Sequence, residues 1–294
     1  MCNSRSSHSR SRLGVILGLV GVLTFAGTLP ATRIAIELYD AGFLTFGRAF
    51  AAGLAATLCL LIMRKPFPRK KLWPLLFAGL TLVYGFPGFM TLAMVTVPAS
   101  HGGVVLGILP LATAVFATLL AGERPSPLFW ICGITGTVLI IVFTLRDGEF
   151  GFAAGDFWLF IAAITAASGY VVSGKLSRDM PGWEVISWAL VLFLPASAIG
   201  CIFFWQPAYL APSAPQALAF AYVAFGSMFL GFFAWNVGLK LGGIAAVGQL
   251  QLLQTFFTLA IAAAVLGETI TVEMVLFAIA VLITVMVGRR AYVG

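Results

Sequence analysis

Two stretches of the sequence resemble each other: LGILPLATAVFATLLAGE, from Leu106 to Glu123, and QLLQTFFTLAIAAAVLGE, from Gln251 to Glu268. Each is an apolar segment of helical length that ends in Gly-Glu, and the two lie 145 residues apart. Further upstream, Gly103 and Gly248 have the same separation. The same pattern at the same spacing indicates a structural unit that occurs twice in the chain.

The composition of the whole chain is typical of a membrane protein. Of the 294 residues, 61% are hydrophobic and 9% are charged, whereas soluble domains carry roughly 25% charged residues. A helix needs about 20 mostly apolar residues to cross a bilayer. Charged, proline and glycine clusters divide the chain into ten predicted spans, at residues 13–36, 42–63, 72–96, 101–121, 126–145, 153–174, 183–205, 215–238, 244–266 and 270–288. We therefore predict an all-α polytopic membrane protein of ten transmembrane helices.

The charged residues predict the orientation of these spans. With the N-terminus inside, almost all basic residues fall on the cytoplasmic side, while most acids, including Asp156, fall outside. The basic exceptions on the outer side are Arg33, Arg48 and Arg146. Such a bias sets membrane topology, and it explains the net charge of +7 without nucleic-acid binding. We expect a basic cytoplasmic tail over residues 1–12 and two cytoplasmic termini in a multi-pass protein of a bacterial inner membrane.

Ten spans in two equal units give five spans per unit, over residues 13–146 and 147–290. Because five is odd, the second unit must enter the membrane in the opposite orientation, so we expect two inverted five-helix repeats. Glu123 then lies at the inner face and Glu268 at the outer face, where each acid caps a helix or pairs with a base. Inverted repeats are typical of transporters, because two similar halves can rock about a site at the membrane midplane.

The doubled unit, the repeated Gly-Glu helix end and the Leu109–Pro110 step carry a family resemblance. From about Leu13 to Arg290 the chain resembles the drug/metabolite transporter superfamily, specifically its EamA-type ten-helix members. Over the sequence as a whole, it is most similar to the YddG-type exporters of aromatic amino acids. The second unit departs from the first, since Thr255 stands where Pro110 would fall. The resemblance implies a secondary transporter that exports small organic solutes, foremost aromatic or large apolar amino acids, by alternating access.

Polar residues within the spans are the candidates for a solute pathway, because polar groups that face hydrocarbon are expensive. At 100° per residue, Gln251, Gln254, Thr255 and Thr258 share one face of the ninth span. Two amides are costly to bury without partners, so we interpret the glutamine pair as lining the pathway. The alternative for the hydroxyl groups is a hydrogen bond to their own helix. The other candidates are Thr81, Tyr84 and Thr91 in the third span, Pro110 in the fourth, Trp158, Thr165 and Ser168 in the sixth, and Trp235 in the eighth.

His101, at the outer start of the fourth span, is a candidate for a proton-linked role, since histidine titrates near neutral pH. The alternative is a solvated histidine at a helix end. No acid lies at the middle of a predicted span, and the sequence has no GxxxxGK[ST] phosphate loop and no metal-ligand or catalytic cluster. We therefore predict a protein that is not an enzyme and binds no metal or cofactor. Its expected partners are a small-molecule substrate and the lipid bilayer, and we expect a monomer.

Three alternatives to an amino-acid exporter remain open. A carrier of phosphorylated metabolites needs fixed positive charge in its cavity, whereas Arg33, Arg48 and Lys175 read as residues at span ends. An exporter of lipophilic cations or drugs favours a buried carboxylate, although aromatic faces can substitute for one. A non-transporting membrane scaffold would have solidly packed repeats without a solute-sized cavity. Uniport, exchange and proton coupling all fit the sequence.

Overall fold

The computed structural model describes residues 3–124, 126–147 and 154–290, and the regular elements in these residues are helical. The main helices are α1 (Arg12–Ala35), α2 (Ala41–Ile62), α3 (Arg69–Met94), α4 (Ala99–Ala121), α5 (Pro127–Asp147), α6 (Ala154–Asp179), α7 (Gly182–Phe203), α8 (Ala214–Gly242), α9 (Ile244–Leu266) and α10 (Val272–Arg290). In this part of the chain, eight helices are long and apolar enough to cross a membrane. The apolar stretches of α5 and α10, Pro127–Leu139 and Val272–Thr284, are shorter. The predicted spans are therefore matched at eight positions, and α5 and α10 coincide with the predicted fifth and tenth spans.

The outer surface of the helix bundle carries large apolar side chains. Ile16 on α1 is 57% exposed, and Ile202 and Phe203 on α7 are 78% and 80% exposed. Water disfavours so much exposed apolar surface, whereas lipid tails accept it. The chain is a multi-pass membrane protein, as its composition predicts.

The hydrogen-bonding pattern changes partway along α3, α4 and α8. α3 and α8 contain π-helical segments at Leu80–Gly85 and Tyr222–Leu230, and α4 contains a 3₁₀ turn at Leu106–Ile108. Pro87 follows the segment in α3 and Pro110 follows the turn in α4. Proline has no amide hydrogen for the helix ladder, and such interruptions are frequent at functional sites. Both prolines therefore follow directly on interruptions of the helical hydrogen bonding.

The ends of α4 and α9 are joined by matching contacts. Each helix ends at a glycine in the left-handed conformation, Gly122 with φ 70° and Gly267 with φ 66°, which glycine adopts without strain. The next residue caps the other helix: Glu123 accepts hydrogen bonds from the first two amides of α9 at 3.3 and 3.1 Å. Glu268 accepts them from the first two amides of α4 at 2.9 and 2.8 Å. The end of each helix thus lies beside the start of the other, and α4 and α9 run antiparallel.

A second matched pair of contacts lies inside the same two helices. A Cβ placed on Gly103 of α4 would lie 3.0 Å from Cγ2 of Thr258 in α9, and one on Gly248 of α9 would lie 3.0 Å from Cγ2 of Thr113 in α4. The two glycines are as far apart along the chain as the two glutamates, and so are the two threonines. The packing of α4 on α9 therefore follows the repeat that the sequence shows.

Glycines bring the backbones of α1 and α8 into close contact. A Cβ on Gly14 would lie 2.5 Å from the backbone nitrogen of Gly242, and one on Gly238 would lie 2.8 Å from that of Gly18. Each helix presents two glycines four residues apart, a spacing that lets membrane helices approach closely. This pairing fixes α1 against α8 and positions the residues of α1 that reach the interior.

Candidate functional site

Four polar residues of α9 line a small cavity between α1, α4 and α9. Gln251, Gln254, Thr255 and Thr258 are between 1% and 7% exposed, and the cavity that they line has a volume of about 10 Å³. The other lining residues are Leu29, Gly103, Leu106 and Leu109. The polar face predicted from helical spacing is therefore a single buried face at one cavity.

The two threonines of this face connect α9 to both neighbouring helices. The Thr255 hydroxyl donates to the carbonyl of Gly103 in α4 at 3.0 Å, and the Thr258 hydroxyl donates to the carbonyl of Ala26 in α1 at 2.9 Å. These hydroxyls bond to other helices and not to the backbone of their own. They hold three helices from the two halves of the chain around the cavity.

Three buried amide atoms of the two glutamines at the cavity have no hydrogen-bond partner in the described part of the protein. Both amide atoms of Gln251 and Oε1 of Gln254 are buried without a hydrogen bond. The Tyr170 hydroxyl lies beside Gln251 but does not complete a well-formed bond with its amide. An unsatisfied buried polar group costs roughly 1–3 kcal/mol, and a cavity of this volume holds about one water molecule. A polar group that enters the cavity would supply the missing hydrogen bonds.

An aromatic cluster adjoins the amide cavity. Trp235 is fully buried, and its ring lies 5.3 Å from that of Tyr170 and 5.9 Å from that of Phe25 in edge-on contacts. Its indole N–H has no hydrogen-bond partner. Because Tyr170 also lies beside Gln251, the predicted residues Trp235 and Gln251 belong to one continuous buried region.

A second and larger cavity lies between α2, α3 and α6. It has a volume of about 510 Å³ and is lined by the predicted residues Tyr84, Thr81 and Thr165, together with rings of Phe46 and Phe89. Aromatic and aliphatic groups form most of its wall. A cavity of this size and lining fits a small apolar or aromatic molecule.

The hydroxyl groups at the larger cavity are satisfied within the protein. Thr81 and Thr165 each donate to a carbonyl of their own helix at 2.8 Å, as the alternative reading of these residues predicts. The Tyr84 hydroxyl reaches α7, where it lies 3.0 Å from the Phe193 carbonyl and 2.8 Å from the Ser197 hydroxyl. The cavity therefore offers rings and methyl groups to a bound molecule, while its hydroxyls fix the helices.

The remaining residues singled out from the sequence are also buried or partly buried. Thr91 and Ser168 donate to carbonyls of their own helices at 2.7 and 2.9 Å. The ring of Trp158 stacks on Phe89 at 5.6 Å and so backs the wall of the larger cavity. Pro110 is buried in the first turn of the second part of α4. Trp158 therefore adjoins the larger cavity, whereas Thr91, Ser168 and Pro110 line neither of the two cavities.

His101 is buried against an acid. Its Nε2 lies 2.7 Å from Oδ1 of Asp156, and the two side chains are 8% and 1% exposed. The alternative of a solvated helix-end histidine is therefore wrong, and Asp156, assigned to the outer side by charge counting, is a buried acid in the first turn of α6. The sequence feature that indicates this burial is the position of Asp156, a single acid just inside a predicted apolar span. The pair joins α4 to α6 across the two halves.

Arg48 is the clearest functional candidate that the sequence analysis missed. It was assigned to a span end, but its side chain in α2 is 1% exposed, and its Nε and Nη1 are buried without hydrogen-bond partners. The sequence feature that indicates its burial is its position inside an apolar run. Arg33, another outer-side exception, does lie at a helix end, where it donates to carbonyls at the end of α3.

Comparison with known proteins agrees with this architecture. The EamA-like transporter family matches the chain twice, over residues 12–146 and 153–288. The chain is 45% identical over 278 residues to the uncharacterized transporter YdeK of Bacillus subtilis, covering 94% of this chain and 97% of YdeK. It is 27% identical over 248 residues to the aromatic amino acid exporter YddG of Ancylobacter novellus, covering 80% of this chain and 83% of YddG.

A solved crystal structure shares the fold. It superposes with a TM-score of 0.68 at 22% sequence identity and covers 95% of this chain and 97% of its own. The matching family and the curated relatives are transporters and not enzymes, as the sequence analysis predicts. A transporter of this kind takes a small-molecule substrate and works in a membrane. The two family matches together extend over most of the chain, which therefore belongs to the EamA-like transporter family.

Proposed function

We propose that this transporter exports aromatic or large apolar amino acids across a bacterial inner membrane. The observation that carries the proposal is a pair of buried glutamines, Gln251 and Gln254, at a cavity where α1, α4 and α9 meet. Three of their amide atoms lack hydrogen-bond partners. Amides can bond the polar groups of an amino acid that passes them, and the separate aromatic cavity beside Tyr84 can hold an apolar side chain. The similarity to an aromatic amino acid exporter supports the same solute class.

The proposed architecture is ten spans in two inverted five-helix units, with both termini cytoplasmic. The antiparallel contacts of α4 and α9 support the inversion, and the double family match supports two units. α5 and α10 would be the fifth and tenth spans, since they occupy the predicted positions. Under the charge bias of the sequence, Glu123 lies at the cytoplasmic end of the pair and Glu268 at the outer end.

The proposed mechanism is alternating access by rocking of the two units as a monomer. Glu123 joins the units at one end of the α4–α9 pair and Glu268 joins them at the other. Opening at one end loosens the contact there while the opposite contact holds. The interruptions before Pro87 and Pro110 give α3 and α4 places to bend without breaking an intact helix ladder.

The buried His101–Asp156 pair is the proposed link to protons. It joins α4 to α6, one helix from each unit, and a histidine changes charge near neutral pH. Protonation of the pair would change the electrostatic attraction between the units at the end where Glu268 caps α4. This assigns His101 the role of coupling solute export to a proton gradient.

Flux through purified protein tests the proposed function. The protein is reconstituted into liposomes, and the uptake of labelled phenylalanine, tryptophan and leucine is compared with that of empty liposomes. We expect uptake of phenylalanine and tryptophan that saturates with concentration and that unlabelled aromatic amino acids compete for. A labelled lipophilic cation and a labelled sugar phosphate are measured in parallel. Flux of either one without flux of any amino acid would replace the proposed solute class.

A further inference from the structure

Arg48 places a positive charge inside a membrane-spanning helix. It lies about two turns into α2, so its Cα is roughly 10 Å beyond the first residue of that helix. Two of its guanidinium nitrogens are buried without hydrogen bonds, and in the described part of the chain no carboxylate forms an ion pair with it. Charges within membrane spans are rare and are paired or functional. The partner of this charge is therefore missing from the protein itself.

The helical geometry of α2 directs Arg48 away from the neighbouring α7. Phe46 and Gly53 belong to the face of α2 that packs on α7. At 100° per residue, Arg48 is roughly 150° from that face and about 60° from Thr45, one turn earlier. Thr45 lines the larger cavity and packs near Gly88 of α3. Arg48 thus lies on the interior side of α2, beside the lining residue Thr45 on the helix surface, although it does not itself line the cavity.

We propose that Arg48 binds the carboxylate of the transported solute. A guanidinium presents two pairs of parallel N–H donors that match the two oxygens of a carboxylate, Nε with Nη2 and Nη1 with Nη2. The unpartnered Nε and Nη1 of Arg48 each belong to one of these pairs. A carboxylate bound to either pair would supply one missing hydrogen bond and the missing negative charge. The apolar part of the solute would then lie in the cavity between Thr45, Tyr84 and Phe89.

This assignment rests on the proposed function and narrows it to solutes with one carboxylate. One guanidinium balances one negative charge, whereas a phosphate group with two charges would need further cations. Lipophilic cations would be repelled by the same residue. Arg48 therefore turns an aromatic cavity into a site that distinguishes an amino or aryl acid from its neutral or cationic analogue.

The first test measures transport in liposomes for the wild type and for Arg48→Gln, with phenylalanine and its decarboxylated analogue 2-phenylethylamine as solutes. For phenylalanine we expect Arg48→Gln to raise KM about tenfold or more, since a charge-assisted pair is lost. The preference for phenylalanine over the amine should disappear. Arg48→Lys keeps the charge but not the paired donors, so its KM for phenylalanine should fall between that of the wild type and that of Arg48→Gln. The exposed Arg69 serves as the matched control, and Arg69→Gln should keep the wild-type KM.

The second test measures ligand-induced thermal stabilisation of the purified protein by phenylacetate and by neutral phenylacetamide. We expect the carboxylate to raise the Tm of the wild type and of Arg69→Gln but not of Arg48→Gln. Without ligand, Arg48→Gln should be at least as stable as the wild type, because an unpaired buried charge has been removed. A variant that loses its fold would contradict this expectation and indicate a structural role.

The two tests separate the proposals from one another. If the wild type moves no amino acid but phenylacetate stabilises it through Arg48, the proposed function fails and the carboxylate site stands. If the wild type moves phenylalanine and Arg48→Gln moves it with an unchanged KM, the proposed function stands and the Arg48 site is refuted. Equal stabilisation of wild type and Arg48→Gln by phenylacetate would refute the site as well.

Discussion

The carboxylate of Glu123 accepts a hydrogen bond from the backbone amide of Ala245 at 3.1 Å, and so joins the end of α4 to the start of α9. The corresponding contact, at the other end of the same two helices, joins Glu268 to the amide of Ser100 at 2.8 Å. Amides in the first turn of a helix have no intrahelical partner, and negative charge is favourable there. Each unit therefore completes a helix of the other, and this makes separation of the units at either end energetically costly.

Removal of either carboxylate should destabilise the protein. We expect Glu123→Ala and Glu268→Ala each to lower the free energy of unfolding by about 0.5–2 kcal/mol, the usual contribution of a helix cap. Thermal unfolding in detergent measures the change, and Glu37→Ala, at an exposed acid, is the control that should have no effect. Because the contacts lie at opposite ends, the double variant should show the sum of the two losses. If the losses are no larger than that of the control, the two caps do not contribute to joining the units.

The sequence predicts two equivalent helix ends whose acids cap a helix or pair with a base, but it does not predict which helix each acid caps. The Gly-Glu repeat was visible because side chains recur at a fixed spacing, and it correctly located two equivalent helix ends. The partners of Glu123 and Glu268 are backbone amides, which every residue carries and which no side-chain pattern reveals. For the same reason the polar face of α9 was predictable from helical spacing, whereas the bonds from Thr255 and Thr258 to other helices were not.

Breaking the buried pair between His101 and Asp156 should cost more than breaking a surface contact. We expect His101→Gln and Asp156→Asn each to destabilise the protein by about 3–5 kcal/mol, because each change breaks a buried ion pair from one side. The double variant should lose less than the sum of the two, since it removes both members. Asp179→Asn removes an exposed acid paired with Lys71, and this control should leave the stability close to that of the wild type. Additive losses in the double variant would show that the pair does not act as a unit.

The same pair should determine the response of transport to a pH gradient. In liposomes, we expect an imposed gradient to change the rate of phenylalanine flux through the wild type, and we expect His101→Gln to move phenylalanine at a rate independent of the gradient. The reason is that the variant cannot take up a proton at this position. The Asp179→Asn variant should respond as the wild type does. A full response in His101→Gln would assign proton coupling to another group or to none.

The close approach of α1 and α8 should tolerate no added side chain. A Cβ on Gly238 would lie 2.8 Å from the backbone nitrogen of Gly18, and a backbone cannot move aside as a flexible side chain can. We expect Gly238→Ala to lower the Tm measurably and Gly238→Val to prevent recovery of folded protein. At Gly226, the nearest atom to an added Cβ is 3.5 Å away on Tyr222, so Gly226→Ala is the matched control. Wild-type stability in Gly238→Val would show that the two helices can separate at little cost.

Arg48 and Asp156 show where prediction from sequence ends. Both were assigned to the outer ends of spans because charged residues usually lie there. Depth in a membrane protein depends on the exact bounds of each helix and on what packs around it, and both of these come from contacts between distant parts of the chain. The sequence located the apolar runs, but only the packing of α2 and α6 in the bundle places these two charges in its interior.

Gln254 gives the sharpest test of the amide cavity, because the same helix region offers a matched control. Gln254 lines the cavity and Gln249 does not, although both are buried with an unpartnered Oε1. Replacing either by leucine removes an unsatisfied polar atom, so neither change should lower the Tm. We expect Gln254→Leu to reduce phenylalanine flux at least severalfold without loss of membrane insertion, and Gln249→Leu to keep it. Equal flux in the two variants would place Gln254 outside the pathway, since burial and chemistry are the same at both positions and only the contact with the cavity differs.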